Sequence, residues 1–251
     1  GVLAGLLGIG GGLVLVPVLL WQFQSQGMDE TVVMHLALGT SLTTIIATSV
    51  SSIVAHHKRG AVRWDIVTRL TPGILLGGLS GAWIARHMST TMLQPVFAGF
   101  VILVAIRMLY HREIHAKRPL PQTTGMTIAG SVIGSLSAIV GIGGGTLTVP
   151  FLEWHKTPLV QAIATASACG FPIAVAGSLG FLINGWHHPA LPTDSSGFIY
   201  WPAAFGIAIT SMLFAPLGAK LAHNLPVVRL KRIFAALLFA VAGKLLFQAA
   251  A

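Results

Sequence analysis

The sequence has few charged residues, because Asp, Glu, Lys and Arg together make up only 8% of its 251 residues. A soluble globular domain carries about 25%, so the composition excludes an ordinary soluble domain. The hydrophobic fraction is 54% and the mean hydropathy is +0.82. We therefore expect an all-α polytopic membrane protein. The single cysteine, Cys169, excludes an internal disulfide and a cysteine metal cluster.

Acidic residues are the scarcest charged group, with six in the whole chain. All of them fall in predicted loops or at the ends of apolar segments: Asp29, Glu30, Asp65, Glu113, Glu153 and Asp194. Carboxylates inside a membrane usually mark cation sites and proton relays. Their absence from the predicted spans therefore argues against a cation transporter with acidic ligands. The net charge of +9 reflects basic cytoplasmic loops, and we expect no nucleic-acid partner.

Catalytic and metal-binding patterns are also lacking. No Lys-Ser or Lys-Thr pair follows a glycine-rich stretch, which excludes a phosphate-binding loop. The adjacent pairs His56-His57 and His187-His188 lack the helical spacing of metal ligands. His35 and His155 lie near the glycine motifs described next, and either could carry a proton. We expect no enzyme activity, no metal and no cofactor.

A five-residue glycine motif occurs twice. Residues 8–12 and 141–145 both read Gly-Ile-Gly-Gly-Gly, and Pro17 and Pro150 follow at the same distance. Each glycine costs about 1 kcal/mol in a helix interior, so each motif predicts a broken helix within an apolar segment. Broken helices in transporters point their N-termini at anionic substrates. The alternative is close helix packing, since small residues four apart favour it.

The chain divides into two similar halves, residues 1–118 and 119–251. Beyond the glycine motifs, Gly81-Ala82 matches Gly218-Ala219, and Phe97-Ala98 matches Phe234-Ala235 at the same spacing. A polar linker over residues 111–122 joins the halves. Residues 185–197 are expected to form a loop. The predicted spans are His35–Ala55, Ile66–Ala85, Leu93–Leu109, Val160–Ile183, Phe198–Ala219 and Leu230–Ala251.

The positions of the basic residues favour one topology. If both glycine segments crossed the membrane, the 15 Lys and Arg residues would divide nine to six between the two sides. If each segment instead enters and returns, thirteen lie on one side and two on the other. The second arrangement satisfies the positive-inside rule. It predicts inverted repeats, each with a re-entrant glycine segment and three transmembrane helices.

These motifs resemble the TauE/SafE family of sulfite exporters. The doubled glycine motif carries the resemblance, together with Ala37–Ser41, Ala164–Ser167 and the basic stretch His57–Val62. Residues 215–223 fit the family as well, so the resemblance extends over nearly the whole chain. Membership implies a multi-pass permease of the inner membrane. It also implies small anionic substrates, typically sulfite or organosulfonates, which are exported.

An anion in such a protein would be held by dipoles, because no charged side chain is predicted at mid-membrane. Helix N-termini and hydroxyl groups can supply hydrogen-bond donors. The candidate substrate-binding residues are Gly10, Gly11, Gly12, Thr40, Ser41, Thr44, Gly143, Gly144, Gly145, Thr165 and Ser167. For the Ser and Thr residues the alternative is hydrogen bonding between helices. For the function, the alternatives are a passive anion channel or an importer of another small organic anion.

Overall fold

The computed structural model describes residues 11–109, 119–211 and 227–250, almost all of them helical. Residues 111–118 of the predicted linker lie outside these ranges. In chain order the elements are α1 (Gly12–Ser25), α2 (Val33–His57), α3 (Trp64–Arg86), α4 (Thr90–Leu109), α5 (Thr123–Val140), α6 (Gly145–Trp154), α7 (Leu159–Gly185), β1 (Ser195–Ser196), β2 (Ile199–Tyr200), α8 (residues 201–211) and α9 (Val227–Ala250).

Four of the described helices are long and apolar enough to cross a membrane, namely α2, α4, α5 and α7. This confirms the prediction of an all-α, multi-pass membrane protein. Helices α2, α3, α4 and α7 coincide with four of the predicted spans, and α9 covers most of the last one.

The predicted helix start at Phe198 is wrong, whereas residues 186–194 form the predicted loop and only its end differs from the prediction. Ser195 pairs with Tyr200 and Ser196 with Ile199 in a small antiparallel hairpin, and α8 begins only at residue 201. The tip of this hairpin is buried between two helices. The Phe198 N–H donates to the Phe181 carbonyl of α7 at 3.2 Å, and the Phe198 carbonyl lies directly against Gly39 of α2. The backbone is therefore held by partners outside the hairpin.

Helices α3 and α5 pack backbone against backbone along a glycine ladder. Gly73, Gly77 and Gly81 of α3 lie against Thr127, Ser131 and Ser135 of α5. Any side chain at these glycines would overlap the facing backbone. The facing residue numbers rise together, so the two helices run in the same direction. This is the close packing that small residues at four-residue spacing permit.

Helix α7 runs in the same direction as α3, because Gly78 faces Ala176 and Ala82 faces Gly180. Helices α3, α5 and α7 therefore begin at the same end of the bundle. We call it the basic end, since Arg63 and Arg69 lie there. A bond of 3.0 Å joins His35, near the start of α2, to the Ala85 carbonyl near the end of α3. We call this opposite end, where α2 begins and α3 and α7 end, the histidine end.

The core is built around the first half of α2. Residues 32–42 are all buried, which is unusual because most helices bury only one face. Helix α1, helix α7 and the hairpin surround this segment. Phe23 and Phe181 are fully buried beside it. Helix α2 is thus the central helix, and these elements pack around its first half.

Candidate functional site

The second glycine motif ends one helix and starts another. Helix α5 ends at Val140, and Gly141 adopts a left-handed conformation with φ of 68°. Glycine takes this conformation without the penalty that a Cβ brings. Helix α6 then begins at Gly145, and residues 141–144 between the helices are buried.

The first motif starts its helix at the equivalent glycine, but the residue before that start differs: Gly144 is right-handed with φ of −61°. Gly11 is left-handed with φ of 66°, and α1 begins at Gly12. The predicted site residue Gly10 lies outside the described residues.

The two motifs meet inside the bundle. A Cβ added at Gly12 would lie only 2.8 Å from the Gly141 carbonyl oxygen and 2.9 Å from the Ile142 Cα. From this meeting point α1 runs to the histidine end, since a short link joins its last residue to α2. Helix α6 runs to the basic end, where α7 begins after a link of four residues. The N-termini of two helices therefore lie at the meeting point, and the helices leave it in opposite directions.

Neither N-terminus has a side-chain cap from the residues that the structure describes. The first N–H groups of a helix have no intrahelical partner and carry partial positive charge. In α6 the first helical bond runs from the Thr148 N–H to the Gly144 carbonyl, so the N–H groups of residues 145–147 precede it. Gly144 itself packs against α7, and a Cβ there would lie 2.8 Å from the Ala166 carbonyl oxygen.

Two of the predicted hydroxyls lie at or beside the meeting point and bond to backbone carbonyls. The Ser41 hydroxyl donates to the Gly141 carbonyl at 2.9 Å, which satisfies an acceptor freed by the helix break. One turn further on, the Thr44 hydroxyl donates to the Ser41 carbonyl at 2.7 Å. Ser41 thus connects α2 to the broken helix, and Thr44 bonds within α2.

The other predicted hydroxyls contact the chain elsewhere. Thr40 accepts from the Tyr200 N–H at 3.0 Å, and Thr165 accepts from the Arg63 N–H at 3.1 Å. Ser167 is half-buried and donates to the Ile163 carbonyl of its own helix. These bonds agree with the alternative of hydrogen bonding between segments for Thr40 and Thr165.

Three further hydroxyls were not selected from the sequence. Ser137 precedes the break by one turn, and Thr146 and Thr148 lie in the first turn of α6. Their Oγ atoms are buried and have no hydrogen-bond partner within the described part of the chain. Buried polar groups without a partner are rare in folded proteins. Their position on both sides of the glycine motif is the signal that could have identified them.

Comparison with known proteins agrees with this architecture. The family model described as Sulfite exporter TauE/SafE matches residues 1–245. A probable membrane transporter protein of Haemophilus influenzae is 38% identical, over 96% of this chain and 92% of its own length. A probable membrane transporter protein of Methanocaldococcus jannaschii is 28% identical, over 95% and 88%.

The probable membrane transporter protein YunE of Bacillus subtilis is 25% identical, over 99% of this chain and 94% of its own length. No solved structure gives a significant match. The match to the family extends over both glycine motifs and nearly every described helix. This confirms the resemblance seen in the sequence: the chain belongs to the TauE/SafE family of membrane transporters.

Proposed function

We propose that this protein is a secondary transporter that exports small sulfur-containing anions, such as sulfite or organosulfonates, across the inner membrane. The observation that carries the proposal is the meeting of two uncapped helix N-termini inside the bundle. Their partial positive charges favour an anion there. Membership in a transporter family supports transport as the activity.

The two halves, residues 1–118 and 119–251, form inverted repeats in this proposal. Helices α1 and α6 leave the meeting point in opposite directions, as inversion requires. A pair of hydrogen bonds adds support. Thr40 accepts from the residue before Trp201, and Thr165 accepts from the residue before Trp64. Trp64 and Trp201 are separated by the same number of residues as Phe97 and Phe234, which match in the sequence.

The segment from α5 to α6 is re-entrant in this proposal. Helices α5 and α7 begin at the same end of the bundle, and α6 joins α5 to α7, so the segment returns to the end from which it started. Glu153 near the end of α6 lies 3.6 Å from Arg107, near the end of α4. The positive-inside rule then assigns the basic end to the cytoplasm.

The anion is held by hydrogen-bond donors rather than by charged side chains. The donors are the N–H groups at the starts of α1 and α6, together with the hydroxyls of Ser137 and Thr148. An oxyanion has several acceptor oxygens, so it can satisfy donors from both helices at once. Binding without a fixed cation also lets the anion leave again, which transport requires.

Flux measured in proteoliposomes that contain only this protein tests the proposal. Sulfite, sulfoacetate, taurine and sulfate are loaded in turn, with and without a pH gradient. We expect saturable flux of a sulfur anion in the parental protein. Large single-channel currents would instead indicate the passive channel, and no flux of any of the four would exclude sulfur anions.

A matched pair of variants localises the site. Thr148→Val preserves the shape of a fully buried side chain and removes an unpartnered hydroxyl. Thr127→Val removes an exposed hydroxyl of α5 that donates to the Thr123 carbonyl. We expect Thr148→Val to reduce flux at least about tenfold, equivalent to about 1.4 kcal/mol, and Thr127→Val to leave it unchanged. Equal flux in both variants would remove Thr148 from the site.

A further inference from the structure

A cavity of about 730 Å³ opens at the histidine end, away from the meeting point of the glycine motifs. It lies between the start of α2, the link from α3 to α4 and the segment that follows α7. Its titratable lining residues are Glu30, His35, Arg86, His87, His187 and His188. Hydrogen-bonding groups are added by Thr31, Asn184, Ser89 of the α3–α4 link and the first two residues of α4, Thr90 and Thr91.

His35 is the buried member of this lining, with only 4% of its surface exposed. Its Nε2 lies 3.0 Å from the Ala85 carbonyl oxygen, so this nitrogen carries a hydrogen. In the neutral ring Nδ1 is then an acceptor, and it has no hydrogen-bond partner in the described ranges. The Met88 carbonyl is a second backbone acceptor near the ring. A ligand that brings a proton to Nδ1 would satisfy this atom.

The fixed charges around the cavity are of both signs. Arg86 is a fixed cation, and a protonated His35 would add a second positive charge. Glu30 is the one carboxylate in the lining.

Asp29 faces His188 from outside the cavity. Hydrogen bonds from the Thr31 hydroxyl and N–H hold the pKa of the Asp29 carboxyl below its usual range. Two carboxylates thus lie near the one fixed cation, so an anion in the cavity needs the additional positive charge of a protonated His35.

We infer that this cavity is a second anion-binding site, which takes a small oxyanion together with a proton on His35. In the occupied site the imidazolium donates through Nε2 to the Ala85 carbonyl and through Nδ1 to the anion, and Arg86 supplies the fixed charge. The class of anion rests on the proposed function, whereas the site itself rests on the cavity and its lining.

The position of His35 relates this site to the centre of the bundle. His35 and Ser41 are six residues apart on α2, or about 9 Å at 1.5 Å per residue. The ring of Phe198 lies against His35, with ring centroids 4.8 Å apart, and His188 approaches the same ring at 5.7 Å. The cavity therefore lies at the outer end of the proposed transport path, and the pair His35–Phe198 forms its inner wall. We call this cavity the antechamber.

Equilibrium binding of radiolabelled sulfate to the purified full chain tests the inference. Sulfate keeps its charge between about pH 5.5 and about pH 8, on either side of the ordinary histidine pKa. Any change in affinity over this range therefore reports groups on the protein. We expect binding at least about tenfold tighter at the lower pH, because a protonated His35 adds positive charge and can donate to the anion through Nδ1.

Three variants assign the site. His35→Gln can still donate to the Ala85 carbonyl but cannot gain a charge, so we expect it to lose most of the pH dependence. Arg86→Gln removes the fixed cation, so we expect weaker binding at both pH values. Arg69→Gln removes an exposed arginine at the other end of the same helix and serves as the matched control, with parental binding.

Retention of the full pH dependence in His35→Gln would overturn the inference, as would equal losses in Arg69→Gln and Arg86→Gln.

Thr148→Val separates this outcome from failure of the proposed function. If the antechamber binds sulfate as described but the central site does not exist, Thr148→Val keeps both the pH-dependent binding and the parental flux. If the proposed function holds and the antechamber does not exist, Thr148→Val loses flux, and His35→Gln and Arg86→Gln bind sulfate as the parental protein does.

Discussion

In the proposed division into two halves, Thr40 and Thr165 occupy matching positions, but the segments that they hold differ. Thr165 accepts from Arg63 in the half-buried, charged stretch before α3, whereas Thr40 accepts from Tyr200 in a hairpin whose tip is buried. The residues before them differ too, with Gly39 in the first half and Ala164 in the second. Both threonines therefore accept a hydrogen bond from one backbone N–H. The hairpin that bonds to Thr40, however, is inserted more deeply among the helices than the stretch that bonds to Thr165.

The largest difference in stability is expected when the residue before each threonine is substituted. In Gly39→Ala the new Cβ would overlap the Phe198 carbonyl, so the hairpin has to move. We expect a loss of about 3 kcal/mol in the free energy of unfolding. Ala164→Gly should cost only about 1 kcal/mol, from helix propensity. Thermal unfolding in detergent measures both, and equal losses would show that the two positions are packed alike.

Removing the two anchoring hydroxyls should have the next largest effect. Thr40→Val leaves the Tyr200 N–H without its acceptor beside the buried Phe198 and Ile199, and we expect a loss of about 2 kcal/mol. Thr165→Val should cost about 1 kcal/mol, because none of residues 61–65 is buried and water can reach the Arg63 N–H. The serine variants keep the acceptor and serve as controls. A larger loss in Thr165→Val than in Thr40→Val would contradict this difference between the halves.

Ser41 and Ser167 provide a smaller contrast. Ser41 donates across the bundle to Gly141, whereas Ser167 donates within its own helix. We expect Ser41→Ala to cost about 1 kcal/mol and Ser167→Ala to stay within about 0.5 kcal/mol of the parental protein. If Ser167→Ala were the more damaging change, as judged by unfolding in detergent, Ser41 would have no special role at the helix break.

The smallest expected effect is in the link before α2, which differs in its charged residue from the link before α7. Asp29 precedes α2 and accepts two hydrogen bonds from Thr31, which keep the pKa of its carboxyl low; Lys156 occupies the link before α7. A lowered pKa contributes stability above the ordinary carboxyl range that is lost as the pH falls through the folded value. In Thr31→Val the pKa of Asp29 should rise towards its usual value, as carboxyl NMR would measure. An unchanged pKa would show that the backbone N–H of residue 31 suffices.

Much of the helical architecture could be predicted from the sequence, because it depends on local composition. Apolar runs located α2, α3, α4 and α7, and the glycine run located the break before Gly145. The hairpin was missed because strands of two residues leave no alternating pattern to detect. The roles of Thr40, Ser41 and Thr165 depend on partners 160, 100 and 102 residues away. No local pattern in the sequence identifies such partners.

The glycine ladder between α3 and α5 has a mechanical consequence. Where the backbones of Gly73, Gly77 and Gly81 touch α5 directly, no layer of side chains can change rotamer to absorb sliding. Movement of one helix along the other would force carbonyl groups past one another at three successive turns. The two helices must therefore move as one rigid body. During a transport cycle, helices are therefore expected to move past one another at other interfaces, where side chains lie between them.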